Sequence, residues 1–241
     1  MSSSGSATPS SRSVDEAIQR LYGDAALLEV PLEIPCVFHV VALWQPPPGS
    51  SLARDLGPDR RVMHIRPTPP HSDTDTFVLG LARARAEAII TTGRILREEP
   101  NVRFEPQGPW AGALHAWRRA QGLTTPPRII VLSRTPLPPH PGLDPSAEHF
   151  PTDLLPAIKT LQDQGVRRIC VEAGPSTARA LYGPGSPLTQ LMLSTCHAPS
   201  LAPEVIGPPL VPEATLARLR ATRPCTRDEA GIPWTFELRM P

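Results

Sequence analysis

The chain has 241 residues, 40% of them apolar and 20% charged, so it can bury a sizeable core and is not globally disordered. Its 24 basic and 23 acidic residues leave a formal net charge of +1, without the basic excess typical of proteins that bind nucleic acids or membrane surfaces. We therefore expect one domain with neither a nucleic acid nor a membrane as its partner.

The sequence carries no pattern for metal binding, export or membrane insertion. Its four cysteines are scattered: Cys36, Cys170, Cys196 and Cys225. They form no zinc-ligand spacing, and three lie in apolar runs, so we expect buried free thiols and no metal site. The N-terminus MSSSGSATPSSRS lacks the apolar segment of a signal peptide, and no apolar run is long enough to cross a membrane. We expect a cytoplasmic protein with a disordered tail (1–12) and one domain (13–241).

The first half of the chain alternates predicted helices and strands. SVDEAIQRLYG has Ser13 at the cap position of a helix and Gly23 as its end. EIPCVFHVVALW (33–44) is a nearly continuous apolar run, as in a central strand covered on both faces. A helix begins at Ser72 or Asp73 and leads into the strand AIITT.

The second half repeats this alternation. Helices are predicted for AGALHAWRRAQG, DLLPAIKTLQDQG and STARALY, and strands for RIIVLS, RRICVE, LTQLMLSTCHA and IPWTFELR. Strands that alternate with helices indicate a largely parallel sheet covered on both faces, which is an α/β fold. The apolar–polar alternation of the last strand is typical of an antiparallel edge.

One predicted strand runs into an unusual turn. The turn contains these residues: Ala173, Gly174, Pro175, Ser176 and Thr177. Glycine lets a ligand approach the backbone closely, and proline suits the first turn of a helix. The N–H groups at that helix start, with the two hydroxyl groups, could hold a phosphate or pyrophosphate. An ordinary strand-to-helix turn is the alternative.

Two further strands end in polar residues. Ser133 and Arg134 follow RIIVL, and Thr91, Gly93 and Arg94 lie at the end of AIITT. Each could be a plain solvated strand end, but parallel strands place their carboxyl ends on one edge, where ligands bind. A dinucleotide needs several phosphate-binding points along one edge, and a hydroxyl beside a guanidinium suits the 2′-phosphate of NADP. The pattern therefore predicts an NADP site without a G-x-G-x-x-G motif.

With these motifs the chain resembles the dihydrofolate-reductase-like superfamily, most closely the reductase domain of riboflavin biosynthesis (the RibD C-terminal type). CVEAGPSTARAL is similar to the family's E-[GA]-G-P-[ST] loop, and ARARAEAIITTGRILREEP to the segment that ends in its G-x-x-T-V-x-x-D-D-P turn. APEVIGPPL (202–210) resembles the later A-P-x-x-x-G segment. The similarity extends over residues 14 to 240.

The resemblance implies a single dihydrofolate-reductase-like domain: a mostly parallel central sheet, helices on both faces and an antiparallel C-terminal strand. It implies NADPH as the cofactor, with its pyrophosphate at Gly174, Ser176 and Thr177 and its 2′-phosphate at Ser133 and Arg134. It further implies reduction of a small planar heterocycle, by default 5-amino-6-(5-phosphoribosylamino)uracil, and assembly into a homodimer.

The substrate half of the family pattern is largely replaced. Where the family has Lys or Asn and then S-x-D-G, this chain has Val40 and then WQPP. Val40, Ala42 and Trp44 share one face of the first strand, which faces the nicotinamide if the family fold holds. Trp44 is either a wall for a planar substrate or a core aromatic. His39 points the other way and is expected in the core or at its rim.

No general acid is identified from the sequence, so the catalytic residues stay unassigned and solvent could supply the proton. Two hypotheses follow. The chain is an NADPH-dependent reductase, or it is a nucleotide-binding protein that kept the fold and lost turnover with its substrate residues. A phosphate-binding scaffold without a cofactor is a third alternative.

Overall fold

The computed structural model describes residues 11–24, 28, 34–57, 59–64, 69–137, 139–140, 143 and 147–241. The helices in this part of the chain are α1 Ser11–Tyr22, α2 Ser51–Leu56, α3 Asp73–Arg85, α4 Gly93–Glu98, α5 Ala111–Ala120, α6 Leu154–Asp163, α7 Pro175–Ala178 and α8 Glu213–Arg218. The strands are β1 Cys36–Trp44, β2 Arg61–Met63, β3 Ala88–Thr92, β4 Arg128–Leu132, β5 Glu148–Phe150, β6 Arg168–Val171, β7 Leu188–Cys196, β8 Ile206–Pro209, β9 Arg220–Ala221, β10 Cys225–Glu229 and β11 Ile232–Met240. Short 3₁₀ helices cover Gly108–Trp110, Arg179–Tyr182 and Pro203–Val205.

The strands form one mixed sheet in the order β10-β11-β7-β1-β6-β3-β4-β5. The run from β7 to β5 is parallel throughout, whereas β11 pairs antiparallel with β7 and β10 antiparallel with β11. The predicted α/β class, the mostly parallel sheet and the antiparallel C-terminal strand are therefore confirmed. The apolar run of β1 follows from its place in the middle of this order, because a central parallel strand is covered on both faces.

Helices cover both faces of the sheet, as predicted. Phe38 of β1 lies in a core with the buried faces of α1, α3 and α5, and its neighbour Val37 lies in a second core with those of α6, α7 and α8. Successive strand residues point to opposite faces, so one strand supplies both cores. We call these the α3 face and the α6 face.

The first helix begins earlier than the sequence predicts. It starts at Ser11, so Ser13 lies inside the helix and its predicted role as the cap is wrong. Val14 is fully buried and Ile18 nearly so, which means that packing holds the first turns. Gly23, at φ +79°, ends the helix as predicted. Residues 1–10 of the predicted tail lie outside the described residues.

The structure also shows which residue caps α3 and what state the cysteines have. Ser72, and not Asp73, caps α3, because its hydroxyl accepts a hydrogen bond from the Asp75 N–H at 2.9 Å. The cysteines are free, and the three in apolar runs are buried. Within the described ranges, no helix is long and apolar enough to cross a membrane, and no group of His, Cys, Asp and Glu side chains could hold a metal ion.

Candidate functional site

The three polar strand ends lie on the same edge of the sheet. β3 lies between β6 and β4, and all three are parallel, with Ile90 opposite Val171 and Thr92 opposite Leu132. The segments that follow these strands therefore leave the sheet side by side, as the strand pattern predicts.

Two of these segments line one cleft on the α6 face, with a volume of about 630 Å³. Ser133 and Arg134 come from the end of β4, and Ser176 and Thr177 from the start of α7. The start of α6 adds Asp153 and Leu155. This volume lies within the range of small-molecule binding sites. The structure thus brings together residues that the sequence analysis assigned to one ligand from separate motifs.

The turn before α7 is open toward a ligand. Gly174 has φ −66° and ψ 170°, a conformation that any residue adopts, so the backbone does not require glycine here. A Cβ atom built on Gly174 meets no atom within 4 Å, so a ligand has room to approach the backbone. No side chain caps α7, and within the described residues the hydroxyl groups of Ser176 and Thr177 have no recorded hydrogen-bond partner. These groups fit a pyrophosphate.

The end of β4 offers one exposed cation to the cleft. The Arg134 guanidinium lies 2.7 Å from the Asp153 carboxylate, and the two side chains are 76% and 74% exposed. The Ser133 hydroxyl is already used, because it donates a hydrogen bond to the Thr135 carbonyl oxygen at 2.7 Å. Arg134 is therefore the better candidate for a phosphate contact, whereas Ser133 stabilises its own turn.

Thr91 does not reach this cleft. It is fully buried, and its hydroxyl has no hydrogen-bond partner in the part of the chain that the structure describes. Side chains alternate along β3, so Thr91 points to the α3 face like Ile89, away from the cleft. The structure therefore does not bring the Thr91 side chain to the cleft, and its place among the cofactor-binding residues stays a prediction.

Gly93 and Arg94 also lie outside the lining of the cleft. A Cβ atom on Gly93 would come within 2.7 Å of Ser133 Oγ, so glycine allows the turn after β3 to pack against the end of β4. Arg94 is exposed on α4, where it pairs with Glu98 at 2.6 Å. The structure gives Gly93 a packing role, and it does not bring Arg94 to the cleft.

The predicted substrate face of β1 is mostly filled. Trp44 is fully buried and donates its indole Nε1–H to the Ala198 carbonyl oxygen at 3.0 Å, so it is a core aromatic and not a substrate wall. Val40 is only 8% exposed. Ala42 is half-buried, and β6 pairs with β1 only as far as His39, so the backbone around Ala42 projects past the end of β6.

One carboxyl group near Ala42 was not predicted from the sequence. Asp75, half-buried in the first turn of α3, faces the hydroxyl of Ser194, which lies on β7 directly opposite Ala42. Burial raises the pKa of Asp75, the nearby Glu229 adds to this, and the Ser194 hydroxyl opposes it. A carboxyl group that stays protonated above its usual range can donate a proton.

The sequence nevertheless carries a signal for the position of Asp75. Val78 and Ala82, three and seven residues later, are both fully buried. Residues with this spacing share one face of a helix, so Asp75 continues the apolar stripe of α3. An acidic residue in line with a buried stripe indicates either a partner or a function.

Two buried pairs hold the turn after β6. Glu172 accepts hydrogen bonds from Arg83 Nε at 2.8 Å and from Arg83 Nη2 at 2.7 Å, which ties the start of the turn to α3. His39 Nδ1 lies 2.5 Å from the Tyr182 hydroxyl oxygen, which ties the segment after α7 to β1. Burial lowers the pKa of His39 to about 4, so it is neutral at physiological pH and belongs to the core, as predicted.

Known proteins resemble this chain in structure but not significantly in sequence. No protein-family model matches the sequence, and no curated protein is significantly similar to it. A pyrimidine reductase-like protein from Corynebacterium diphtheriae matches with a TM-score of 0.58 at 17% identity, over 93% of this chain and 98% of the other.

Two crystal forms of RibD from Acinetobacter baumannii also match, each with a TM-score of 0.56, at 13% and 15% identity. They align over 91% and 90% of this chain, which spans only 61% and 62% of the length of RibD. The chain therefore has the fold of these reductase-type proteins, as the sequence resemblance implied.

Proposed function

We propose that this protein is an NADPH-dependent reductase of a small planar heterocycle. The observation that carries the proposal is the cleft of about 630 Å³ on one edge of the sheet, lined by Arg134 after β4 and by Ser176 and Thr177 at the start of α7. Structures of RibD and of a pyrimidine reductase-like protein with the same fold support the reaction class.

The cleft residues fit the parts of NADPH. Gly174, just before the cleft-lining residues Ser176 and Thr177, would hold the pyrophosphate together with them, since these residues offer an open backbone and hydroxyl groups that make no hydrogen bond to the described residues. Arg134 would hold the 2′-phosphate. Leu155, 38% exposed in the same cleft, offers an apolar surface to the adenine ring. When bound, NADPH supplies the hydride, and the protein contributes position, electrostatics and exclusion of water.

The substrate would lie against Ala42, where β1 projects past β6. Ala42 packs on the α3 face, so the nicotinamide end of NADPH would extend from the cleft across the carboxyl ends of β6 and β1 to reach it. When the hydride adds to the carbon atom of a C=N or C=O bond, Asp75 would give a proton to the nitrogen or oxygen atom, because its raised pKa keeps the carboxyl group protonated at higher pH than an ordinary aspartate. We propose 5-amino-6-(5-phosphoribosylamino)uracil as the first substrate to test. A place in riboflavin biosynthesis, a cytoplasmic location and a homodimer belong to the same proposal.

The proposal is tested by titrating the full chain with NADPH and then following the absorbance at 340 nm after the uracil substrate is added. We expect saturable binding and oxidation that requires both protein and substrate. Failure of NADPH and NADH to bind would overturn the proposal at the level of the cofactor.

The second candidate is a nucleotide-binding protein that has lost turnover. It is favoured by one observation: Trp44 is in the core and Val40 is nearly buried, so only Ala42 remains of the predicted substrate face. Tight NADPH binding without oxidation by pteridines or aminopyrimidines would support this candidate over the reductase.

A further inference from the structure

We propose that Asp153 limits the selectivity of the cleft for NADPH over NADH, because its carboxylate competes with the 2′-phosphate for Arg134. This inference rests on the proposed function and concerns the same cleft. The inference gives Asp153 a role in cofactor specificity, although Asp153 belongs to none of the sequence motifs that predicted the cofactor site.

The Asp153 carboxylate contacts the guanidinium that would bind the 2′-phosphate. Arg134 Nη2 lies 2.7 Å from Asp153 Oδ1. Among the described residues that line the cleft, Arg134 is the only one with a cationic side chain. A dianionic phosphate that approaches this guanidinium therefore meets a carboxylate already bound to it.

Asp153 is not held in this position by the fold. It is the N-cap residue of α6, yet its side chain makes no capping hydrogen bond. Aspartate is one of the residues that most favourably cap a helix through the side chain, so the carboxylate is turned to Arg134 instead. Both side chains are largely exposed, and each can contact a ligand.

The two cofactors meet this pair differently. The ribose of NADH carries a 2′-hydroxyl, which can donate a hydrogen bond to the Asp153 carboxylate. The ribose of NADPH carries a phosphate in its place, which gains Arg134 but is repelled by Asp153. The gain and the loss oppose each other, so the cleft discriminates weakly between the two cofactors.

The test measures dissociation constants for NADPH and NADH by isothermal titration of the full chain and of Asp153→Asn. Asparagine keeps the shape and the capping ability of aspartate and removes only the charge. We expect the unchanged chain to bind the two cofactors within about tenfold of each other, and Asp153→Asn to tighten NADPH about tenfold without tightening NADH.

Asp163→Asn is the matched control. Asp163 pairs with Lys159 at the other end of α6 and is similarly exposed, so the change removes an equal charge outside the cleft. It should leave the NADPH-to-NADH ratio unchanged. Rising salt should narrow the difference between Asp153→Asn and the unchanged chain, because screening weakens the repulsion.

The inference is overturned if the unchanged chain prefers NADPH by more than about a hundredfold. It is also overturned if Asp153→Asn leaves the ratio of the two dissociation constants unchanged. Either result leaves the proposed function intact, since NADPH still binds. If neither cofactor binds to any variant, the proposed function fails, and this inference fails with it.

Discussion

The cofactor side and the substrate side of the sheet edge differ in how they are built. On the proposed cofactor side, short sequence motifs supply open backbone, an exposed arginine and two hydroxyl groups that make no hydrogen bond to the described residues. On the proposed substrate side, β1 brings apolar residues that are mostly packed, and the proposed proton donor, Asp75, comes from α3. The contrast shows that local motifs predicted residues that line the cleft, whereas tertiary packing decided which residues along β1 stay open.

The largest expected effect is on kcat and tests the proton-donor role proposed for Asp75. Asp75→Asn should lower kcat about 10²- to 10⁴-fold, the usual contribution of a general acid, with a smaller change in NADPH affinity. Because the pKa of Asp75 is raised, kcat of the unchanged chain should fall as pH rises through that pKa, and the variant should lose this limb. Steady-state kinetics over a pH series measures both.

The neighbouring Asp73→Asn is the control for this prediction. Asp73 lies in the same helical turn with a side chain that is 92% exposed, so its removal should leave kcat within about twofold of the unchanged chain. Equal losses for the two variants, or an unchanged pH limb in Asp75→Asn, would show that Asp75 is not the proton donor.

The second prediction concerns the pair of Arg83 and Glu172, which holds the turn after β6. Glu172→Gln leaves the Arg83 charge buried without its partner, so the free energy of unfolding should fall by about 3–5 kcal/mol. Urea unfolding measures the loss. Glu98→Gln breaks the exposed pair with Arg94 and should cost less than about 1 kcal/mol. If the two variants lose a similar free energy of unfolding, the buried Arg83–Glu172 pair does not anchor the turn more strongly than an exposed pair does.

The third prediction is a loss of stability in acid. The pKa of His39 is about 4 in the folded chain and about 6.5 when unfolded, so the unfolded state binds more protons between these values. Stability is therefore full above pH 6.5 and falls by up to about 3 kcal/mol as pH drops to 4. The lowered pKa of the half-buried His197 adds a loss of the same sign.

Thermal or urea unfolding at several pH values between 4 and 7 checks this loss. His39→Gln should flatten the slope in this window, because the side chain that gains a proton only on unfolding is gone. A slope that is identical in the variant would assign the acid sensitivity to other groups.

The smallest expected effect tests the cofactor side itself. Arg134→Ala should weaken NADPH about tenfold and leave NADH nearly unchanged, since only NADPH has the 2′-phosphate. We expect a loss at the low end of what a charge-assisted hydrogen bond contributes to binding, because the Asp153 carboxylate already neutralises part of the Arg134 charge. Arg94→Ala, outside the cleft, should change neither dissociation constant. An equal loss of both cofactors in Arg134→Ala would refute the 2′-phosphate assignment.

By itself the sequence determined the α/β class, the order of the main elements and the turn after β6. Apolar runs, helical spacing and end residues such as Gly23 act within a few residues of chain, so their physics is readable locally. It also predicted that the ends of β4 and β6 share one edge, because parallel strands require it.

Only the tertiary structure decided which side chains at that edge are free. Burial of Trp44, the contact of Gly93 with Ser133, the pairing of Arg134 with Asp153 and the position of Asp75 beside Ser194 join residues far apart in sequence. No short-range period encodes such contacts, since they depend on how each helix packs on the sheet. The physical reason is that burial and charge pairing are properties of three-dimensional neighbours, which a linear pattern does not contain.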